Sequence, residues 1–139
     1  MILLDTNVVS AVMTPSPPEA VLDWLDRQET SQLFLSAITL AEIGYGLAVF
    51  PDSRRRRHLE DSFGRFVAQG FAQRMLTFDE PAARLYGELM GHRKRLGRPL
   101  ATLDGQIAAI ARVHRADLAT RNTRDFEECG LELVNPFEA

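Results

Sequence analysis

Short apolar runs separated by longer stretches of helical periodicity constrain this chain more than any other feature of it. Met1–Leu4, Leu33-Phe34-Leu35 and Met75–Thr77 read as buried strands, and Asp117–Thr120 and Glu132–Asn135 as two more. Between them the pattern is helical. One helix covers roughly Thr6–Met13 and is broken by Thr14-Pro15-Ser16-Pro17-Pro18. Ser16 and Glu19 have capping-box spacing and open an amphipathic helix with Val21, Leu22 and Leu25 on one side. The next runs from near Ile38 to about Val49 and ends at Pro51; another, Ser53 to about Ala68, carries Leu59, Phe63, Phe66 and Val67 on its apolar stripe. Asp79-Glu80-Pro81 supplies a cap, an acidic first turn and an N-terminal proline for a helix that reaches about Leu96, before Gly97-Arg98-Pro99. Leu103, Ile107, Ile110 and Ala111 mark a further helix to about His114, and a helical turn lies near Arg124–Glu128. Apolar strands alternating with helices predict the α/β class, with a parallel sheet covered by helices on both faces. No repeat, low-complexity tract or linker interrupts the pattern, so residues 1–139 are expected to form one domain, long enough to close one hydrophobic core.

In such sheets ligands bind beyond the carboxyl ends of the strands, near the point where the strand order reverses. Asp5 ends the first strand and Arg121-Asn122 follows the fourth, while Glu42 and Asp104 fall in the early turns of helices. Each acid also has an ordinary structural role open to it. Asp5 can cap the first helix. Thr39 and Glu42 have the spacing of a capping box. Asn122 and Asp125 have capping spacing as well, and Asp104 borders an apolar stripe with no evident basic partner. Gathered at one sheet edge, these carboxylates would repel one another unless a cation neutralised them. An all-oxygen set points to Mg²⁺, or Mn²⁺, rather than zinc. His58, His92 and His114 are scattered at no metal-ligand spacing. Neither a Gly-x-Ser-x-Gly turn nor a Gly-x-x-x-x-Gly-Lys loop is present, which argues against serine hydrolase and nucleotide-triphosphate chemistry.

The net charge of −3 argues against adhesion to nucleic acid over the whole surface, but not against a local basic strip. The 16 basic residues include one lysine, and many cluster in Arg54, Arg55, Arg56 and Arg57 and in Arg93-Lys94-Arg95 with Arg98. Each run is either a phosphate-binding rim or a solvated helix face. No apolar run approaches the ~20 residues needed to span a bilayer. Met1-Ile2-Leu3-Leu4 reaches Asp5 without the apolar segment of a secretory signal, and Cys129 is the one cysteine, so the cytoplasm is the expected compartment.

Met1-Ile2-Leu3-Leu4-Asp5-Thr6-Asn7, Ser36-Ala37-Ile38-Thr39-Leu40-Ala41-Glu42 and Leu103-Asp104-Gly105-Gln106-Ile107-Ala108-Ala109 resemble the motifs of PIN-domain ribonucleases, and within them VapC-type toxins of the FitB-like branch. Thr120-Arg121-Asn122-Thr123-Arg124-Asp125-Phe126 and Asn135-Pro136-Phe137 extend the similarity to essentially the whole chain. The resemblance implies a five-stranded parallel sheet, an acidic Mg²⁺ site, cleavage of RNA, a homodimer, and inhibition by a small cognate antitoxin. It also implies that Asp5, Glu42 and Asp104 are the metal-binding and catalytic acids. Many relatives have Asp where Asn122 stands, so the fourth position falls to Asn122 or Asp125. Thr6 and Asn7 are candidates for placing a ligand, and Arg54 to Arg57 with Arg93 and Lys94 for an RNA rim. Two other readings compete: a degenerate PIN domain that binds its antitoxin without catalysis, and a phosphate-accepting receiver domain, which the absence of paired acids at the first strand disfavours.

Overall fold

The computed structural model describes residues 1–139. Strands β1 (Ile2–Leu4), β2 (Leu33–Ser36), β3 (Met75–Leu76), β4 (Asp117–Ala119) and β5 (Leu133–Val134) form one parallel sheet in the order β3-β2-β1-β4-β5. Parallel pairing requires a crossover between successive strands, and helices supply the first three. Helices α1 (Thr6–Val12) and α2 (Glu19–Asp26) link β1 to β2; α3 (Ala37–Ala48) and α4 (Arg54–Gly70) link β2 to β3; α5 (Glu80–Arg95) and α6 (Thr102–Val113) link β3 to β4. A single 3₁₀ turn, Thr123–Phe126, stands between β4 and β5.

Both faces of the sheet are buried, which is why its strands are continuously apolar rather than alternating. Leu3 and Leu118 face one core with Leu89, Ile107, Ile110 and Phe126. Their neighbours Leu4 and Ala119 face the other, with Val8, Val9, Val21, Trp24, Leu35 and Phe63. The expected five strands, two covered faces and α/β class are all present. No helix is long and apolar enough to cross a membrane.

Local details differ from expectation where a side chain found another partner. Pro18, whose ring fixes φ near −58°, occupies the N-cap of α2 and offers no side-chain cap, so the Ser16–Glu19 box does not form. α3 starts one residue early because Ser36 caps it, accepting the Thr39 N–H at 3.1 Å. That makes Thr39 the third helical residue rather than the cap, and it frees Glu42 for other contacts. Leu103, expected on the apolar stripe of α6, is 44% exposed; the buried face of that helix is Gly105, Ile107, Ala108 and Ile110 with Ala111. Asp79 does cap α5, accepting from the Ala82 N–H at 3.2 Å.

The strand order sets where a ligand can reach the sheet. The chain leaves β1 toward β2 and later returns to the opposite side of β1 as β4, so the order reverses between β1 and β4. The two connections diverge there and leave a crevice at the carboxyl ends of those strands. Asp5 is the first residue beyond β1 and Thr120 the first beyond β4, and the Asp5 N–H donates to the Ala119 carbonyl at 2.9 Å.

Candidate active site

At that crevice lies a pocket of about 510 Å³ whose wall includes Asp5, Glu42 and Asp104. Three elements deliver them: the end of β1, the second turn of α3 and the first turn of α6. Thr6, Asn7, Arg121 and Asn122 complete its mouth.

Asp5 is buried and is both a cap and a pocket acid. Its Oδ1 accepts the Thr6 N–H at 2.8 Å, and its Oδ2 accepts the Thr120 hydroxyl at 2.7 Å. The Thr120 oxygen also accepts the Asn122 N–H at 3.0 Å and the Asn7 side-chain amide at 3.4 Å. Two of its three partners can only donate, so its own proton must point to Asp5. Thr120 therefore ties the loop after β4 to the acid after β1. Burial pushes the Asp5 carboxyl up to about 6, opposed by the Thr120 and Thr6 hydrogen bonds and reinforced by the charges of Asp104 and Glu42. Burial raises Asp104 too, with Glu42 and then Asp125 adding repulsion. The mutual charge effects add to burial at both acids, as expected where carboxylates are clustered.

Glu42 is aimed by a run of hydroxyls. Its Oε1 accepts the Thr6 hydroxyl at 2.9 Å, and Thr6 Oγ1 lies 2.8 Å from Thr39 Oγ1. A hydroxyl has one proton, so Thr6, having donated to Glu42, accepts from Thr39. Ser36 Oγ lies a further 3.4 Å from the Thr39 oxygen. Ser36 and Thr39 are completely buried, which fixes the Glu42 rotamer from beneath the pocket.

No group of three or more His, Cys, Asp or Glu side chains is placed to hold a metal ion as it stands. The donor set is nonetheless wholly oxygen, and the pKa values of the Asp5 and Asp104 carboxyls are raised by burial first and by neighbouring acids second. Both properties suit a hard divalent cation that keeps part of its water shell, as Mg²⁺ does.

The remaining sequence candidates divide. Asn122 lines the pocket. Asp125 is exposed and outside that lining; its N–H donates to the Asn122 carbonyl at 3.0 Å, and its charge reaches Asp104. The proposed Asn122 side-chain cap does not form. Asn7 accepts the Arg121 N–H at 3.2 Å, and so holds the mouth as well as Thr120.

Of the basic run, Arg56 pairs with Glu60 and Arg57 with Asp52, while Arg55 lines an apolar groove that shares Thr6 and Glu42 with the acidic pocket. Arg54 and Lys94 are exposed. Arg93 is a correction: it is only 3% exposed and belongs to no surface rim. Its guanidinium donates to the carbonyls of Arg98, Asp125 and Glu127 at 2.7, 2.8 and 2.9 Å, pinning the 3₁₀ turn against α5. An arginine in a basic run reads as surface, because sequence does not show which carbonyls lie near its helix face.

Sequence reasoning passed over Thr120 and Arg121 as site residues, and read Thr39 as a cap. Thr120 had a usable signal: a hydroxyl residue at the carboxyl end of a strand that could neighbour the one ending in Asp5.

The family model described as PIN domain matches residues 2–130. "VapC ribonuclease Y4jK" of Sinorhizobium fredii is 44% identical over 138 residues, 99% of each chain. "Toxin FitB" of Neisseria gonorrhoeae is 39% identical over 137 residues, again 99% of each. The crystal structure of FitAcB from Neisseria gonorrhoeae superposes with a TM-score of 0.94 at 38% identity, covering 100% of both chains. Full-length similarity at this level, on a fold whose switch point carries the acids, makes this chain a member of the PIN-domain family, of the VapC and FitB type.

Proposed function

We propose that this protein is a Mg²⁺-dependent endoribonuclease toxin, with Mn²⁺ an acceptable substitute, restrained by a small cognate antitoxin. The observation that carries the reading is the meeting of Asp5, Glu42 and Asp104 at one pocket, with the pKa values of Asp5 and Asp104 raised by burial and by neighbouring acids. The ribonuclease and toxin descriptions of its relatives supply the reaction class and the partner class. The cytoplasm remains the compartment we assign, and a homodimer the assembly. Exposed Leu40, Tyr45, Val49 and Phe50, on α3 and just after it, provide apolar surface for association.

Asp5 and Asp104 would hold the ion, directly or through water, and Glu42 would complete the charge and orient the attacking water. Bound Mg²⁺ supplies neutralisation of the scissile phosphate and a lowered pKa for water. The chain's own contribution is orientation. Thr120 and the Thr6 N–H fix both oxygens of Asp5, and the hydroxyl run from Thr39 through Thr6 fixes Glu42. Asn122, which lines the pocket where Asp125 does not, would take the fourth position through its amide oxygen, at lower charge than an aspartate would give. In-line hydrolysis would leave a 5′-phosphate and a 3′-hydroxyl. Arg55 is the member of the basic run whose position best suits an RNA rim.

The test uses the purified chain, free of antitoxin, incubated with RNA in Mg²⁺ and then with EDTA. Cleavage that stops on chelation and is lost in Asp5→Asn supports the reading. Cleavage that survives chelation, or an Asp5→Asn variant that cuts normally, refutes it. A protein that binds Mg²⁺ weakly and cuts nothing would instead be the degenerate, non-catalytic module.

A further inference from the structure

Arg121 stands at the mouth of the acidic pocket, yet it takes part in none of the molecule's four ion pairs. Its guanidinium carbon lies 4.3 Å from the centroid of the Phe137 ring. Its backbone is clamped on both sides: the N–H donates to Asn7 Oδ1 at 3.2 Å, and the carbonyl accepts the Asn135 side-chain amide at 3.4 Å. Asn135 in turn accepts the Phe137 N–H at 2.9 Å, so the same residue secures the arginine and the ring beneath it. Arg121 also lines a second cleft of about 520 Å³, shared with Pro15, Ser16, Pro18 and Phe137, next to the acidic pocket.

We propose that Arg121, braced on Phe137, grips a backbone phosphate of the RNA strand beside the one that is cleaved. The inference rests on the nuclease reading of the acidic pocket. A strand threaded past three carboxylates brings further phosphates toward negative charge, and a cation at the exit offsets that repulsion. A guanidinium with one face on an aromatic ring keeps its N–H edge free for two parallel bonds to phosphate oxygens, which an ammonium does not reproduce. Bracing lowers the conformational freedom lost when the strand binds. The rival role, balancing the pocket's own acids, would be expected to draw Arg121 into an ion pair with one of them.

The experiment measures binding of a fluorescent, nuclease-resistant phosphorothioate RNA single strand in Mg²⁺ across a salt series, alongside cleavage of ordinary RNA. Arg121 is exposed, so its replacement should spare the fold, and a thermal melt checks that it does. Arg121→Gln is expected to weaken binding about tenfold and to reduce the slope of log affinity against log salt by about 0.7, one phosphate contact on a single strand. Arg121→Lys should keep the slope while losing affinity, and Phe137→Leu should lose affinity a few-fold with the slope unchanged. If the wild type cuts RNA but Arg121→Gln binds with unaltered affinity and slope, the inference is overturned and the nuclease reading stands. A change in Mg²⁺ affinity alone would assign Arg121 to charge balance and overturn it as well. A wild type that neither binds nor cuts RNA removes the underlying reading, and the inference with it.

Discussion

Asp5 is held in its pocket by two hydrogen bonds that favour the carboxylate and by burial that opposes it, and burial prevails, with a pKa near 6 against 3.8 for the free side chain. The folded state therefore keeps its proton through a window, between about pH 4 and 6, in which the unfolded chain has lost it. The contribution of Asp5 to stability is expected to fall as pH rises through that window, reaching a deficit of about 3 kcal/mol above it. Asp5→Asn removes the titration. In metal-free urea unfolding, its stability relative to wild type should rise by a few kcal/mol from about pH 4 to pH 7, whereas a pH-independent difference would contradict the burial argument. Thr120→Val deletes a donor to the carboxylate and strands the Asn122 N–H, costing about 1–3 kcal/mol. It also removes a contact that lowers the Asp5 pKa, so the acidic limb of the cleavage profile should move to higher pH, as a pH–rate series would report. Asp5 at a strand end and Asp104 beside an apolar stripe were legible by position, whereas Glu42 read as a capping-box residue and joined them through the family resemblance. Thr39 and Thr120 were not legible, since their hydroxyls act across 33 and 115 positions of sequence on partners that only the fold supplies.

Each element carries its acid only as accurately as it is packed. Helix α6 brings in Asp104, and the next residue, Gly105, lies against α5. A Cβ there would run into the Met90 sulfur and lie 3.1 Å from the Tyr86 ring. Met90 is flexible and can yield to one methyl, so Gly105→Ala should be tolerated. Gly105→Val should cost about 1–3 kcal/mol by overpacking and lower RNA cleavage by shifting Asp104. Adding Met90→Ala should restore part of both, measured by urea unfolding and initial rates. Cap chemistry was legible where a single local partner decides it, as with Asp79 and Ala82. It misled at Thr39, because Ser36 offered a cap three residues earlier and Thr39 turned toward Thr6 instead. The basic run misled at Arg93, where two of the carbonyls it binds lie 32 and 34 positions away.

At the scale of the whole molecule, the class of fold followed from strand composition, since doubly covered parallel strands have no polar side to show. The order β3-β2-β1-β4-β5 did not, because apolar runs alone carry no record of which strand lies beside which. That order is what matters for function: it opens the crevice between β1 and β4, sets Asp5 beside Thr120, and leaves Arg121 at the exit. The same topology lets α3 and α6 bring Glu42 and Asp104 to the pocket that Asp5 lines, so that charge spread along the polypeptide gathers where we propose a divalent ion binds. The most direct measurement is the Mg²⁺ concentration needed for half-maximal RNA cleavage, in wild type and in Asp104→Asn. Removing one acid should raise that concentration at least about tenfold, by weakening charge-assisted contacts to the ion or its water shell, and should depress the maximal rate. Superimposable Mg²⁺ curves for the two proteins would mean that Asp104 does not help hold the ion, and the proposed centre would not exist.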